Sequence, residues 1–344
     1  MATDTVTDNT PTGNTPTGNT PTGEAPLSEA EMQAAVKDNP AMRHLQWPAT
    51  TVNPIRVRWR YALGIPGVHV LACLAFFPYF FSWTGVVLSI LGLYVFGTLG
   101  INLCYHRLLT HQGMTMPKWL EHFFAVLGVC TMQDTPACWV AMHRIHHKHS
   151  DHQTDPHSPM VNFLWGHCGW LMFHNRDFIN VYDYEKYTRD ILRDPFYMKL
   201  ERNENWLWVY VASIVVFFTG GFGAGLIMGE TAAAAMQFGF STMVWGVFVR
   251  TVLTWHITWS VNSVTHVWGY RNYETDDNSR NNMLVGLWSN GEGWHNNHHA
   301  DQRAAAHGHK WWELDVTWIT IRMLETIGLV KQVVRPKAWT KTAE

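Results

Sequence analysis

The chain is expected to form an all-α integral membrane protein, with four transmembrane helices in two hairpins and a helical cap on the cytoplasmic side. Two observations predict this class. Four apolar segments each approach the ~20 residues that a helix needs to cross the hydrocarbon core of a bilayer. Long polar stretches rich in histidine lie beside those segments. The predicted spans cover residues 61–81, 84–105, 206–228 and 232–254.

The predicted organisation places one membrane domain between polar flanking segments. An Asn-Thr-Pro-Thr-Gly unit occurs three times between Asn9 and Gly23, and this composition predicts a disordered tail over residues 1–25. The repeat lacks the basic-then-apolar layout of a signal peptide. A cytoplasmic N-terminal segment is expected over 26–60, the membrane domain over 61–335 and a C-terminal tail over 336–344.

Lysine and arginine residues predict the orientation in the membrane. Five precede Tyr61, ten lie between the second and third spans, nine follow Tyr270, and none occupies either hairpin turn. Because cytoplasmic loops are enriched in these cations, both termini and the central loop are expected to face the cytoplasm. A bacterial inner membrane is the favoured location, with the endoplasmic reticulum as the alternative.

The remaining cation, Arg250, falls within or near the end of the fourth span. A charge at that depth is costly. It indicates either a partner for the guanidinium, such as a buried polar group or a ligand headgroup, or a side chain that extends toward the interface.

The overall charge and the cysteines exclude other classes. The formal net charge is −2, which gives no basic footprint for nucleic acid. The five cysteines are an odd number and no two are separated by only two residues, so they predict neither a disulfide framework nor a zinc ribbon.

Eight histidines occur in three clusters close to predicted spans. Imidazole is the commonest protein ligand for transition metals, and a helix turns residues at i, i+3 and i+4 toward one side. The second and third clusters have that spacing, and they predict metal binding. The clusters are His106 and His111, then His143, His146 and His147, then His295, His298 and His299.

Two further features refine this prediction. His106 and His111 are five residues apart, which is about 140° around an α-helix, so the helix is expected to end or bend between them. Asn262 and His266 lie one helical turn apart beyond the fourth span and supply a ninth imidazole. Nine imidazoles exceed the ligands of one ion, so two neighbouring ions are expected. Most of the other histidines, His307 and His309 among them, are expected to be structural or solvated. His149, His152 and His157 follow the second cluster closely and are candidates for supporting its ligands.

The clusters and their surroundings resemble the membrane fatty-acid desaturase family, in particular its stearoyl-CoA desaturase-like Δ9 branch. The resemblance runs from about Tyr61 to Val330 and is carried by the stretches AMHRIHHKHSDHQTDPHSP, WSVNSVTHVWGY and SNGEGWHNNHHA. It implies an enzyme that places a cis double bond, at Δ9, in a saturated acyl chain with O2 and two electrons. It also implies a centre of two iron ions bound by the nine histidines, with Asn262 holding a water on one iron.

Candidate substrate residues follow from the length of an acyl chain. About nine carbons beyond the irons correspond to roughly 11 Å, or some seven helical residues, which from His106 leads to a tunnel end near Thr98 and Tyr94. Thr258 and Trp259 are expected at the bend of the chain. Three more residues are expected on the cytoplasmic side near a phosphate of CoA or of a lipid. They are Trp139, Arg144 and Lys148.

Several alternatives stay open at this point. The acyl carrier is either CoA or a membrane lipid, and the electron donor is expected to be a separate cytochrome b5 or ferredoxin with its reductase. A membrane di-iron hydroxylase uses similar clusters and is the alternative enzyme class. A non-enzymatic metal-binding membrane protein would place histidine pairs or carboxylates inside the spans.

Overall fold

The structure is a computed structural model that describes residues 45–48, 51 and 55–340. Within these ranges the chain folds into helices, and its β-type contacts are isolated bridges such as Val57 with Phe173. The all-α class is therefore confirmed. The predicted tail over 1–25, most of the predicted segment over 26–60 and the last four residues of the predicted C-terminal tail lie outside the described residues.

The first hairpin joins α1 (Trp59–Ala72) to α2 (Trp83–Gly92). Two short 3-10 turns, Cys73–Phe76 and Pro78–Phe80, connect them. Ser82 begins α2 because its hydroxyl accepts the N–H of Gly85 at 2.9 Å, which satisfies one of the unpaired donors of a helix start. α2 then continues without interruption as a π-helix over Leu93–Thr110.

Five helices connect the two hairpins. The first two run along the end of the π-helix, and the others lead back to the membrane. They are α3 (Lys118–Val129), α4 (Pro136–His149), α5 (Phe163–His167), α6 (Val181–Leu192) and α7 (Pro195–Glu201). Between them lie the 3-10 turns Gly169–Met172, Arg176–Phe178 and Arg202–Glu204.

The second hairpin joins α8 (Asn205–Ile227) to α9 (Ala232–Met243), which passes through a π-helical segment, Val244–Val249, into α10 (Arg250–Ser263). A 3-10 turn, Val264–His266, ends it. Four shorter helices complete the cap. They are α11 (Met283–Trp288), α12 (His295–Ala300), α13 (Val316–Thr326) and α14 (Lys337–Thr340).

Four continuous helical stretches are long and apolar enough to cross a membrane: Trp59–Phe76, Trp83–Thr110, Pro195–Ile227 and Ala232–His266. They correspond to the four predicted spans. The fourth extends beyond the predicted residue 254, because the helix continues to carry His266 into the cap.

Arg250 is fully buried within the fourth stretch. Its guanidinium bonds to a backbone carbonyl at the end of α3. Its Nη2 donates to the carbonyl of Cys130 at 2.7 Å, and Trp255 donates from Nε1 to the carbonyl of Thr131 at 2.8 Å. These carbonyls follow directly on α3, where a helix leaves acceptors unpaired and carries partial negative charge. The guanidinium also lies 3.9 Å from the centre of the Phe96 ring. Arg250 therefore joins α10 to α3. Of the partners considered for this buried cation, the structure provides a buried polar group, the carbonyl of Cys130.

Candidate metal centre

The second histidine cluster lies on α4, and the start of that helix explains its orientation. Thr135 accepts the N–H of Cys138 at 3.2 Å and Pro136 occupies the first helical position, so α4 begins at a defined residue. His143, His146 and His147 then follow in its last two turns and point into the protein.

The first cluster depends on the π-helix. The N–H of His111 donates to the carbonyl of His106 at 3.1 Å, a bond that spans five residues. This register is that of a π-helix. It places the two rings 4.9 Å apart, although five residues of an α-helix would turn them away from each other. The expected break between the two residues is therefore wrong: the helix continues in a wider form to Thr110, and His111 follows as its C-cap.

The third cluster forms the short helix α12, and His266 lies at the end of the fourth span. All four of these imidazoles are buried. The Nε2 atoms of His295 and His266 are 3.1 Å apart, and those of His295 and His299 are 3.0 Å apart. The cap thus brings the end of α10 against α12.

The nine predicted histidines divide into two groups, in each of which one nitrogen per ring lies within 4.8 Å of all the others. The first group, called the five-histidine group, consists of His106, His111, His143, His147 and His298. The second, called the four-histidine group, consists of His146, His266, His295 and His299. This arrangement supports the expectation of two ions. Asn262 belongs to neither group and lines a neighbouring cavity.

The spacing of the nitrogens fits a metal ion. In the five-histidine group the Nε2 atoms of His298 and His147 are 2.9 Å apart, and those of His147 and His143 are 3.0 Å apart. Adjacent ligands of a six-coordinate ion with bonds of ~2.1 Å are separated by about 3 Å. His111 and His146 each bury an Nε2 atom that has no hydrogen-bond partner among the described residues. An ion in each group would satisfy these nitrogens.

Four carboxylates that were not predicted from the sequence bond to these rings on the side that faces away from the groups. Each accepts a hydrogen bond from the Nδ1 of one histidine, which leaves Nε2 of that ring free to face the group. The pairs are His106 with Glu292 at 2.5 Å, His146 with Asp155 at 2.9 Å, His266 with Asp151 at 2.8 Å and His299 with Asp277 at 2.5 Å.

Burial and the contacts between them determine the charges of the histidines and of the carboxylates behind them. Burial, followed by the neighbouring imidazoles, lowers the pKa of His111, His143 and His298 well below the usual range. The pKa of Asp155 is lowered although burial alone would raise it, because the ring of His146 lies beside it and bonds to it. These three histidines are therefore neutral, which metal binding requires, and Asp155 is ionised.

A cavity of about 850 Å³ reaches the five-histidine group from the ends of α1 and α8. It is within the size range of ligand pockets, ~300–1,000 Å³. His106, His143 and Glu292 line it at the metal centre, and Arg60 and Glu204 line it at the opposite end, where both side chains are exposed. We call that end the mouth.

Three of the predicted substrate residues line this cavity, and four do not. Trp139, Thr258 and Trp259 are at its wall. From the second span the cavity instead meets Ile101 and Asn102, one turn closer to His106 than Thr98. Thr98 accepts the amide of Asn290 at 2.8 Å and Tyr94 bonds to Thr320 at 2.8 Å. Counting residues back from His106 predicted the wrong wall, because beyond Ile101 the cavity leaves the π-helix and is lined by α1 and α10.

Arg144 and Lys148 are also placed away from the cavity. Arg144 donates to the carbonyl of Leu109 at 2.8 Å and forms an ion pair with Asp190 at 2.8 Å. Its guanidinium thus caps the end of the π-helix that carries the first cluster. Lys148 is exposed at the end of α4.

A membrane helix bundle with two groups of histidines beside a largely apolar cavity defines a membrane enzyme with a candidate metal centre. The chain belongs to the fatty acid desaturase family, whose model matches residues 81–322. It is therefore an oxidoreductase that desaturates fatty acyl chains.

Curated relatives agree with this assignment over most of the chain. The sn-1 stearoyl-lipid 9-desaturase of Anabaena variabilis is 40% identical over 286 residues, which are 83% of this chain and 96% of the relative. The sn-2 palmitoyl-lipid 9-desaturase of Nostoc sp. (strain 36) is 40% identical over 82% of this chain and 92% of its own length. The acyl-CoA 5-desaturase AL21 of Anemone leveillei is 39% identical over 79% of this chain and 78% of its own length. The hydroxylase alternative is not favoured.

Proposed function

We propose that this chain is an acyl-lipid Δ9 desaturase that uses two iron ions, O2 and two electrons. The observation that carries the proposal is the division of nine imidazoles, eight of them buried, into two adjacent groups at the end of the cavity. The overall reaction converts two adjacent methylenes, O2, two electrons and two protons into a cis double bond and two molecules of water.

Iron fits the donor set better than zinc. Structural and catalytic zinc sites hold about four ligands, whereas the five-histidine group alone offers five nitrogens. Iron in a set of neutral imidazoles supplies the oxygen chemistry that removal of hydrogen from an unactivated methylene requires. We propose that the nine histidines are its ligands and that Asn262, on the cavity wall, holds a water near it.

The residues around the two histidine groups have two roles: some orient the ligands and others bind the acyl chain. Asp151, Asp155, Asp277 and Glu292 fix the rings so that Nε2 faces inward. The wall formed by Trp139, Thr258 and Trp259 holds the acyl chain beside His106 and His143 and excludes water from it.

The charges at the mouth favour a membrane lipid over acyl-CoA. Arg58 lies 4.0 Å from Asp134, Arg60 pairs with Glu204, and Glu201 adds a further carboxylate to the cavity wall. The phosphates of CoA need unpaired cations, and here both arginines that line the cavity, Arg58 and Arg60, are already paired. Relatives of similar identity act on either carrier by their names, so the choice of a lipid rests on the paired charges of the mouth.

The mouth also lies where a lipid would enter. Arg60 is in the first turn of α1 and Glu204 is the N-cap of α8, so both stand where the long apolar helix of a membrane-spanning stretch begins. The distribution of lysine and arginine supports a cytoplasmic position for these ends and for the cap. We propose that a separate electron donor, a ferredoxin or a cytochrome b5, approaches the cap from the same side.

Expression in a host without its own desaturase tests the proposal. Cells carry the wild type, a His146→Ala variant or a His152→Ala control, since His152 belongs to neither histidine group. Fatty acids of each lipid class and of the acyl-CoA pool are then separated and analysed by gas chromatography and mass spectrometry. A Δ9 monounsaturated acid that appears first in intact lipids, with the control but not with His146→Ala, supports the proposal. Hydroxylated acids, or products that appear first in the acyl-CoA pool, would contradict it.

A further inference from the structure

His307 is a further buried imidazole beside the metal centre, and it belongs to neither ligand group. It is 1% exposed. Its ring centre lies 4.3 Å from that of His298 and 5.2 Å from that of His106. Among the described residues neither of its ring nitrogens has a hydrogen-bond partner. Burying a polar ring without hydrogen bonds lowers the stability of the fold. A functional role would explain why a histidine occupies this position.

Two hydrogen bonds fix the backbone of His307. Its N–H donates to Asp315 at 2.7 Å, and its carbonyl accepts the side-chain amide of Asn297 at 2.9 Å. Asp315 in turn accepts from Arg107 at 2.9 Å. These bonds connect the loop of His307 to α12 and to the helix of the first cluster, so the position of the ring is fixed relative to both.

One explanation is a third metal site made by His106, Glu292 and His307, which have one potential ligand atom each within 4.8 Å of the others. Charge argues against it. Arg107 donates to Glu292 at 2.8 Å, and the other oxygen of Glu292 already accepts from His106 at 2.5 Å. A dication there would have to displace a hydrogen bond and lie close to a guanidinium.

We propose that His307 is a positioning residue of the metal centre, which helps His106 to hold one oxygen of Glu292. Its Nδ1 lies 3.4 Å from the Glu292 oxygen that His106 also contacts. A neutral imidazole has one donor and one acceptor nitrogen. With Nδ1–H toward Glu292, the ring keeps Nε2 as a free acceptor beside His106 and His298, available to water bound at the five-histidine group. This inference rests on the proposed function.

The test compares His307→Leu and His307→Gln with a control in the same motif, His309→Leu. His309 is also partly buried, but its ring bonds to Tyr273 at 2.9 Å and it lies in no ligand group. Each protein is purified in detergent after growth with 57Fe. Iron per chain, the Mössbauer spectrum and desaturation are measured, and size-exclusion chromatography checks folding.

His307→Leu is expected to keep the iron content of the wild type, to change the Mössbauer parameters of one iron and to lose about 10- to 100-fold in activity. His307→Gln, whose amide can still donate to Glu292, is expected to fall between it and the wild type, and His309→Leu to match the wild type. A loss of half the iron in both His307 variants would make His307 a ligand and overturn the proposal. An unchanged spectrum with full activity would reduce it to a packing residue. A wild type that binds no iron would instead contradict the proposed function.

Discussion

The N–H of His111 donates to the carbonyl of His106 across five residues, and this bond places both rings in the five-histidine group. An α-helical register would separate them by about 140°. The π-helix that precedes them over Leu93–Thr110 is therefore part of the metal centre as well as part of a membrane span. π-helical turns are rare and are often found at functional sites, which agrees with this position.

Loss of one carboxylate behind the ligands is expected to weaken the centre without removing a ligand. In Asp277→Ala, the Nδ1 of His299 loses its acceptor at 2.5 Å, so the ring is no longer held in one orientation. We expect iron affinity or activity to fall about 10- to 100-fold, measured as iron retained on titration with a chelator. The neighbouring Asp276, which is exposed, provides the control variant Asp276→Ala. Equal iron retention by the two variants would show that the contact does not orient His299.

The length of the acyl product is expected to depend on Ile101 rather than on Thr98. Ile101 lines the cavity and is 2% exposed, so Ile101→Phe fills space that the acyl chain would occupy. We expect this variant to favour shorter substrates, with a higher ratio of C16 to C18 products by gas chromatography. Thr98→Val removes the acceptor of Asn290 outside the cavity and is expected to leave the ratio unchanged. If only Thr98→Val changed the ratio of C16 to C18 products, the end of the acyl tunnel would lie at Thr98, as the sequence predicted.

The sequence predicts the nine histidines because the pattern that identifies them is local. Rings at i, i+3 and i+4 share a face of α4 or α12 whatever the rest of the chain does. The carboxylates behind them have no such pattern: Glu292 meets His106 from 186 positions away. Arg144 illustrates the same limit. Its charge suggested a phosphate, but the fold brings Asp190 and the carbonyl of Leu109 to it.

Arg250 is expected to stabilise the protein through the end of α3. Arg250→Leu leaves the carbonyl of Cys130 buried without its donor at 2.7 Å, which costs about 1–3 kcal/mol. We expect a lower midpoint of thermal unfolding in detergent, followed by tryptophan fluorescence. Arg322→Leu is the control, because Arg322 pairs with Glu325 in a partly exposed position, where an ion pair contributes about 0–1 kcal/mol. A larger effect of Arg322→Leu would contradict the role assigned to Arg250.

The pairing of charges at the mouth is expected to determine how poorly acyl-CoA binds. Glu204→Gln removes the partner of Arg60, whose side chain is 74% exposed, and so leaves a cation free at the entrance of the cavity. We expect a non-hydrolysable acyl-CoA to inhibit lipid desaturation at a concentration about two- to fivefold lower than in the wild type, at low salt. This size corresponds to the ~1 kcal/mol that an exposed ion pair contributes. The gain should disappear at high ionic strength, because salt screens exposed charges. Glu185→Gln, on α6 and outside the cavity wall, frees Arg189 from a similar exposed pair and should leave inhibition unchanged. If both variants respond alike, the effect is one of overall charge and the mouth does not select the acyl carrier.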